Sequence, residues 1–311
     1  ADHLRREFFD NEHIKMLVLD EFDKSLEIGF EGEMIEILDS LPHIKKKILT
    51  SATQEFNVPA FVGLNNPGRI NYLHEAVQKL EIKKIIVGKD LLEGLADSLK
   101  AIGNKPGIIF CNYKDTIAGI SEFLTSKDIS HGLFYGGLEQ IDRERALIKF
   151  RNGTHQLLLA TDLAARGIDV PEIKFIIHYE LPYKEKEFTH RNGRTARMNA
   201  EGTAYVLTRK GAKLPDYMPE LEDANLAGGK DLKPSEWTTL YITGGKKDKI
   251  SKGDIAGLFM KQAGLEPYEV GHIEIKLDST FVSVHKTQLS KAIAKTNNTR
   301  VKKKKVRVSE A

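Results

Sequence analysis

The feature that most constrains this chain is a regular alternation along most of its length. Short apolar runs alternate with amphipathic stretches from the amino terminus to about Gly211. Such runs have the length of buried strands, and the amphipathic stretches between them are typical of helices. The pattern therefore predicts an α/β fold in which helices join parallel strands. The candidate strands are residues 14–19, 48–50, 107–111, 156–160, 175–179 and 203–207.

Two breaks divide the chain. A polar segment from Pro67 to Lys84 has no strong strand signal before Ile85, and part of it is predicted to connect two α/β units. Prolines and glycines interrupt residues 213–236. Beyond the second break the predicted order becomes strand, helix, strand, strand, helix, strand. These elements cover residues 239–243, 253–263, 273–277, 280–284, 287–295 and 300–308. This order predicts the ferredoxin-like α+β fold that RNA-recognition modules use.

Composition excludes several classes of protein. With 311 residues, 41% hydrophobic and 29% charged, the chain has the composition of a folded protein of two or three domains. It has no apolar run of about eighteen residues, and its first residues are charged where a secretory signal needs an apolar core. The single cysteine, Cys111, excludes an intrachain disulfide. We therefore expect a cytoplasmic protein without membrane contact, stabilised by packed cores.

An acidic turn follows the first candidate strand. Asp20, Glu21 and Asp23 place carboxylates at its carboxyl end, where ligands bind in open α/β sheets. Mg²⁺ is bound in proteins through one or two carboxylates together with substrate phosphates, and a neighbouring carboxylate can orient a water. A helix cap or a solvated acidic loop is the alternative interpretation of this segment alone.

Two later segments are rich in polar groups. Residues 160–169 combine hydroxyl, guanidinium and carboxylate groups at a turn after a leucine-rich strand. In residues 190–197, Arg191, Arg194 and Arg197 recur every third residue and would share one helix face. Like charges on one face repel each other, so an anion opposite them is expected, and phosphate suits guanidinium forks. A solvated arginine face is the alternative.

The order of these motifs resembles the DEAD-box RNA helicase family. The resemblance covers residues 2–208 and depends on residues 19–23 with 29–30, then 51–53, 109–112, 160–169 and 190–197. It implies two RecA-like parallel-sheet domains, the first of them incomplete, with ATP and Mg²⁺ as cofactors. The predicted domains are residues 1–72, the second RecA-like domain at 73–212, a linker at 213–236, and an RNA-recognition-like domain at 237–311.

The resemblance also implies roles for individual residues. Asp20 and Glu21 would hold Mg²⁺, and Glu21 would activate the attacking water. Arg194 and Arg197 would be arginine fingers, which with Asp20 and Asp169 contact the nucleotide. The residues implied to couple nucleotide state to domain closure are Asp23, Ser51, Thr53, His190 and Arg191. Those implied to contact RNA are Gly136, Gly137, Thr161, Arg166 and Gly167.

The chain departs from the family pattern in three ways. Phe22 stands where the family has a small residue, and Ala196 stands where it has glycine. No Gly-x-x-x-x-Gly-Lys-Ser/Thr sequence, whose amides and lysine cradle phosphates, occurs in the 311 residues. We therefore expect an amino-terminally truncated sequence, and expect these residues alone to be inactive toward ATP.

The end of the chain resembles the RNA-binding domain of the DbpA-type subgroup of helicases. The similarity lies in residues 240–250, 252–255 and 271–273. It implies structured ribosomal RNA as the partner and a role in large-subunit assembly. The net charge of +3 decides little, but clustered cations predict a phosphate-binding surface. They are Lys246, Lys247, Lys249, Arg300, Lys302 and Lys304. Tyr241 and Phe281 either stack on bases or belong to the core.

Three functions remain open at this point. The first is a monomeric ATP-dependent RNA helicase that locally unwinds duplexes. The second is an ATP-independent RNA-binding or annealing protein, which the missing phosphate loop favours. The third is a DNA-translocating helicase of the same superfamily, disfavoured by the RNA-recognition pattern of the terminal segment.

Overall fold

The structure is a computed structural model that describes residues 1–6, 10–51, 57–71, 80–162, 173–195, 201–226, 228–229 and 231–311, apart from the side chains of residues 24, 27 and 28. The chain forms two compact units, residues 1–77 and residues 78–311. Within the described residues, no helix combines the length and apolar character needed to cross a membrane.

The first unit is built on a pair of parallel strands. Strand β1 pairs with β2 in register, from Met16 opposite Lys46 to Leu19 opposite Leu49. The core beside them contains the buried side chains of Phe22, Met34 and Val62. The elements are α1 (Asp2–Arg6), β1 (Met16–Leu19), α2 (Phe22–Ile28), α3 (Glu31–Asp39), β2 (Lys46–Leu49) and a 3-10 turn (Ala60–Val62).

The second unit begins with a parallel sheet, which we call the parallel-sheet domain (residues 80–226). In the described residues its order is β5-β6-β4-β7-β8-β3-β9, and every neighbouring pair is parallel. The predicted parallel α/β fold is thus confirmed. Its elements are β3 (Leu80–Val87), α4 (Leu91–Ile102), β4 (Gly107–Phe110), α5 (Lys114–Ser126), β5 (His131–Phe134), α6 (Gln140–Arg151), β6 (Leu157–Ala160), β7 (Phe175–His178), α7 (Glu185–Asn192), β8 (Gly202–Arg209) and β9 (Glu222–Asp223).

Burial explains this strand order. All residues of β4, β6 and β7 are buried, and such continuous apolar runs suit the centre of a sheet covered on both faces. Strand β3 begins at Leu80, five residues before the first strand signal that the sequence shows, at Ile85. Charged residues such as Glu81 and Lys83 interrupt the apolar pattern by which a strand is predicted from sequence. The strand nevertheless pairs with β8 over its whole length.

The predicted linker at residues 213–236 packs along the parallel-sheet domain. Strand β9 lies within it and extends the sheet beyond β3, while Leu226 and Leu232 pack against the core. The side chain of Asn104 donates to the carbonyl of Lys233 at 2.6 Å and accepts from its amide at 3.1 Å. These contacts hold the segment in place.

The terminal domain (residues 237–311) has the predicted ferredoxin-like fold. Its antiparallel sheet has the order β11-β12-β10-β15, and one face packs on the two helices. The elements are β10 (Trp237–Ile242), α8 (Lys252–Gly257) continued by a π-helical turn (Leu258–Gln262), β11 (Val270–Ile275), β12 (Thr280–His285), α9 (Leu289–Thr296), β13 (Arg300–Val301), β14 (Lys304–Lys305) and β15 (Val308–Glu310).

One element prediction in this domain is wrong. The sequence predicts a single strand over residues 300–308, but β13 and β14 form a hairpin there, with Arg300 paired to Lys305. Lys302 takes a φ of 52°, the left-handed conformation of a tight turn, and so reverses the chain. The last strand of the sheet is β15, which pairs with β10.

Candidate functional site

The acidic turn of the first unit is held by the strand beside it. Oδ1 of Asp20 accepts hydrogen bonds from the hydroxyl of Thr50 and, at 3.0 Å, from the amide of Glu21. Thr50 also accepts from the amide of Phe22 through its carbonyl, at 3.1 Å. Since β1 and β2 are parallel and in register, their carboxyl ends meet, and Asp20 and Thr50 therefore lie together.

Glu21 occupies a strained backbone position at the start of α2. Its φ of 47° and ψ of 41° are left-handed, which costs a residue with a side chain about 1 kcal/mol or more. This conformation turns the chain sharply between β1 and α2. Two carboxylates consequently stand at adjacent positions on the corner, with Asp20 exposed and Glu21 half-buried.

The donor set of this corner fits a magnesium ion. Oδ2 of Asp20 has no hydrogen bond to any described residue, and the exposed corner leaves room for waters and phosphate oxygens. Mg²⁺ requires only one or two protein carboxylates of this kind. Among the described residues there is no group of three or more metal-binding side chains, so a closed protein cage is absent from that part of the chain.

The structure accounts for the aromatic residue in this motif. Phe22 is completely buried, and its ring lies 6.5 Å from that of Phe61 in the core of the first unit. Its side chain therefore points away from the acidic corner and fills space beneath the sheet. Asp23, which the sequence predicts to couple to Ser51 and Thr53, is 3% exposed; Ser51 is exposed and Thr53 lies outside the described residues.

In the parallel-sheet domain the central polar group is the guanidinium of Arg191, which is 1% exposed. It donates from Nε and Nη2 to the two carboxylate oxygens of Asp162, each at 2.6 Å. It also donates to the carbonyl of Glu180 at 2.6 Å and to Oδ1 of Asn112 at 2.7 Å. The guanidinium lies 5.1 Å above the ring of Phe110. Arg191 thus joins the carboxyl ends of β4, β6 and β7.

Further hydrogen bonds extend this arginine network. The carboxylate of Glu180 accepts from the amide of Asn112 at 2.7 Å and from the hydroxyl of Thr116 at 2.9 Å. The side-chain amide of Asn112 donates to the carbonyl of Leu181 at 2.9 Å. The sequence reasoning did not find these partners, although Asn112 and Glu180 each follow a strand, which is the available signal.

The anion expected opposite the arginines is, for Arg191, a carboxylate and not phosphate. That expectation is corrected because Asp162 neutralises Arg191 inside the domain, where bound phosphate would have no room. Arg194 follows one turn later and is 9% exposed. His190 is described and half-buried, whereas Arg197, Arg166, Gly167 and Asp169 lie outside the described residues.

Two buried groups beside the network are kept uncharged. Burial, with the charge of Arg191, lowers the pKa of His178 to about 3, against a hydrogen bond to Asn192 at 2.9 Å that raises it. Burial and the charge of Glu180 raise the pKa of Cys111 to about 12, although Arg191 opposes this. His178 is therefore neutral at physiological pH, and the Cys111 thiol is unreactive.

The residues predicted to contact RNA in this domain lie in different environments. Gly136 and Gly137 occupy an exposed turn between β5 and α6, open to a nucleic-acid backbone. Thr161 is half-buried at the end of β6, and its amide donates to the carbonyl of Phe134 at 3.3 Å. No contact with RNA is tested at these positions, which stay predictions.

Several lysines of the terminal domain have carboxylate partners. Lys247 pairs with Asp278 at 2.9 Å, Lys302 with Asp254 at 2.9 Å, and Lys304 with Asp248 at 3.4 Å. These exposed pairs are weak and leave the lysines partly available. Within the described part of the chain, Lys246, Lys249 and Arg300 have no ion pair and are exposed, so they carry the uncompensated charge.

The terminal domain docks on the parallel-sheet domain through the face of its sheet opposite the helices. The side-chain amide of Asn152 donates to Oγ1 of Thr239 at 3.2 Å, and the hydroxyls of Thr154 and Thr239 lie 2.7 Å apart. Arg151 pairs with Glu274 at 2.9 Å. A methyl group added at Gly153 would lie 3.7 Å from the ring of Trp237. We call this contact the domain seam.

The seam restricts the use of the sheet face for base stacking. Tyr241 and Phe281 are register partners on the same face as Thr239, with ring centroids 5.4 Å apart. Phe281 is 5% exposed, which favours a packing role for this ring. Tyr241 is half-buried, so its ring presents only part of its surface.

Comparisons with known proteins agree with this architecture. The profile of the helicase conserved C-terminal domain matches residues 88–199, and that of the DbpA RNA binding domain matches residues 239–310. The ATP-dependent RNA helicase DbpA of Bacillus subtilis is 27% identical over an alignment of 354 residues, covering 100% of this chain and 72% of the relative. The chain therefore contains a helicase conserved C-terminal domain followed by a DbpA-type RNA-binding domain. The resemblance inferred from its motifs is confirmed.

Two further relatives match different shares of the chain. DbpA of Escherichia coli is 27% identical and aligns with 99% of this chain and 70% of its own length. The RNA helicase eIF4A of Scheffersomyces stipitis is 31% identical over 209 residues, which are 65% of this chain and 53% of the relative. The chain thus spans about half the length of the eIF4A relatives it matches.

A solved DEAD-box structure shares the fold. Dbp5 of Saccharomyces cerevisiae, bound to RNA and ADP BeF3, superposes with a TM-score of 0.58 at 24% identity. The match covers 67% of this chain and 56% of Dbp5. At this identity the likeness establishes the fold, and the RecA-like assignment of the parallel sheet is confirmed.

Proposed function

We propose that this chain is part of an ATP-dependent RNA helicase that locally unwinds RNA duplexes. The observation that carries the proposal is the docking of a DbpA-type RNA-binding domain on a RecA-like helicase domain of the same chain. Because the two domains are in contact, RNA bound by the terminal domain would lie next to the helicase domain. Relatives that align with nearly the whole chain carry the name ATP-dependent RNA helicase.

In this proposal the carboxylates of the acidic corner and the arginines of residues 191–197 have separate roles in ATP hydrolysis. Asp20 and Glu21 would hold Mg²⁺, which would supply charge neutralisation at the phosphates of ATP. Glu21 would accept a proton from the attacking water. Arg194 and Arg197 stabilise negative charge that develops on the transferred phosphoryl group. Arg191 anchors the end of α7 to Asp162, and Arg194 follows just after that helix.

The substrate we propose is structured ribosomal RNA during assembly of the large subunit, bound by a cytoplasmic monomer. Support comes from the DbpA-type domain and from the exposed cations Lys246, Lys249 and Arg300 on it. Backbone recognition by such groups makes RNA affinity fall as salt increases.

The test is RNA-stimulated phosphate release by the gene product that contains this chain. Glu21→Gln should lower release by about 100-fold or more while RNA binding persists, because a catalytic proton acceptor is lost. Unchanged release in Glu21→Gln would refute the assignment of Glu21. A DNA hairpin of equal sequence serves as competitor, and equal competition by DNA would point to a DNA helicase.

The alternative is an ATP-independent RNA-binding or annealing protein. It is favoured by one observation, the lack of a phosphate-binding loop anywhere in the 311 residues. These residues alone should therefore show no ATP turnover, and turnover that Arg194→Ala abolishes would contradict this expectation. Absence of RNA-stimulated release from the gene product would leave the RNA binder as the function.

A further inference from the structure

A cleft of about 540 Å³ opens at the edge of the domain seam. One wall is Arg151, from the end of α6 in the parallel-sheet domain. The other wall belongs to the terminal domain and contains Lys246, Lys252, His272 and Glu274, with three isoleucines between them. The cleft therefore exists only where the two domains meet.

The cleft has an excess of positive charge. Its carboxylate, Glu274, already pairs with Arg151 at 2.9 Å and with Lys276 at 2.8 Å. Burial acts to raise the pKa of Glu274, but the hydrogen bond from Lys276 and the charge of Arg151 outweigh it and lower the pKa. Lys246 and Lys252 are exposed and form no ion pair in the described part of the chain, so they remain as uncompensated cations.

The guanidinium of Arg151 has N–H groups that form no hydrogen bond to a described residue. Its Nη1 donates to Glu274, while its Nε is buried and has no partner among the described residues. A guanidinium carries five N–H donors in a fork that matches two oxygens of a phosphate. The Nη2 of Arg151 also has no hydrogen bond to a described residue, and the side chain is 25% exposed, so a phosphate oxygen in the cleft would find a donor there that the folded chain leaves unused.

We propose that this composite cleft binds the phosphodiester backbone of RNA, so that Arg151 and the two lysines contact the same RNA. The inference rests on the proposed function and adds a contact from the helicase domain itself. Backbone is the part of RNA that fits best, because cations and aliphatic side chains make up most of the lining and His272 is the one ring among the lining residues.

Two substitutions separate RNA contact from domain docking. Arg151→Gln and Glu274→Gln both break the same interdomain ion pair, but they change the charge of the cleft in opposite directions. The composite site predicts that Arg151→Gln weakens binding of an RNA hairpin by about ten-fold. It also predicts a drop of about one in the slope of log affinity against log salt. Glu274→Gln should bind as tightly as the parent chain or more tightly.

The measurement is fluorescence-anisotropy titration of the full 311-residue chain with a labelled RNA hairpin at several salt concentrations. Lys261→Gln and Glu220→Gln are matched controls, since both residues are exposed and neither lines the cleft. They should change affinity by less than about two-fold. Emission of Trp237, the only tryptophan, reports whether each variant keeps the seam closed.

The outcomes are distinct. Equal weakening by Arg151→Gln and Glu274→Gln would mean that Arg151 acts only through docking, and would overturn the inference. Unchanged affinity in Arg151→Gln would overturn it as well, while leaving the proposed function intact if the parent chain binds RNA. Failure of the parent chain to bind the hairpin at low salt would refute RNA binding and the cleft together.

Discussion

The guanidinium of Arg191 illustrates how one residue can organise a site. Its bonds to a carboxylate, a carbonyl and a side-chain amide come from the ends of three strands. A lysine cannot reproduce them, because an ammonium is a compact point charge and lacks the planar fork. The buried charge is tolerated since Asp162 and the other acceptors satisfy it.

Arg191→Met should therefore destabilise the second unit by about 2 to 3 kcal/mol, since the half-buried Asp162 and the other acceptors would lose their charged partner. Adding Asp162→Asn should restore part of this loss, because the orphaned charge is removed. Urea unfolding followed by Trp237 fluorescence measures both changes. A loss below about 1 kcal/mol in Arg191→Met would show that the network contributes little.

The packing of Phe22 leads to a second residue-scale prediction. Phe22→Ala should cost the first unit about 3 kcal/mol or more, because it opens a cavity beneath the acidic corner. Phe30→Ala is the matched control, since Phe30 is 46% exposed and its removal opens no cavity. Hydrogen exchange of amides in β1 and β2 measures both. Equal effects of the two substitutions would contradict the packing described.

The turn after α6, residues 152–154, both ends the helix and contacts the terminal domain. It ends the helix with Gly153 at a φ of 74° and presents Asn152 and Thr154 to the terminal domain. The hydroxyl of Thr239 serves both side chains, so one strand residue provides two of the hydrogen bonds of the domain seam.

Thr239→Val should weaken the seam by about 1 to 3 kcal/mol, because Asn152 and Thr154 lose their shared partner in a buried place. The expected signal is a red shift of Trp237 emission at a lower urea concentration than unfolding of the sheet. Ser309→Ala, an exposed change on β15, should leave the signal unchanged. Coincident transitions in Thr239→Val would argue against independent undocking.

Sequence patterns predicted some elements far better than others. Strands β4, β6 and β7 are continuous apolar runs and were placed within a residue or two, whereas charged β3 and the short β5 were missed. The acidic corner could be predicted because Asp20 and Glu21 are adjacent in the sequence. The partner of Arg191 lies 29 residues away, and the carboxylates that pair with the terminal lysines lie in folded-back loops. Such pairings depend on tertiary structure, which a local pattern does not contain.

For the whole molecule, the buried histidine predicts acid sensitivity. The pKa of His178 is about 3 when folded and near 6.5 when unfolded, so the unfolded chain binds the extra proton between these values. Stability is therefore full above about pH 6.5 and is lost as pH falls toward 3, by roughly 1 kcal/mol per pH unit.

His178→Gln should flatten this dependence, because an amide does not titrate in that range. Urea unfolding of the parent chain and the variant at several pH values between about 4 and 7 gives the two slopes. Parallel slopes would mean that other groups cause the acid sensitivity.

Strand β6 lies between the domain seam and the hydrogen-bond network of Arg191. It has four residues, all buried, and lies between the turn that meets Thr239 and the pair Thr161 and Asp162. At about 3.3 Å per residue the strand is about 13 Å long. A displacement of the terminal domain at the turn would therefore be passed through β6 to Asp162.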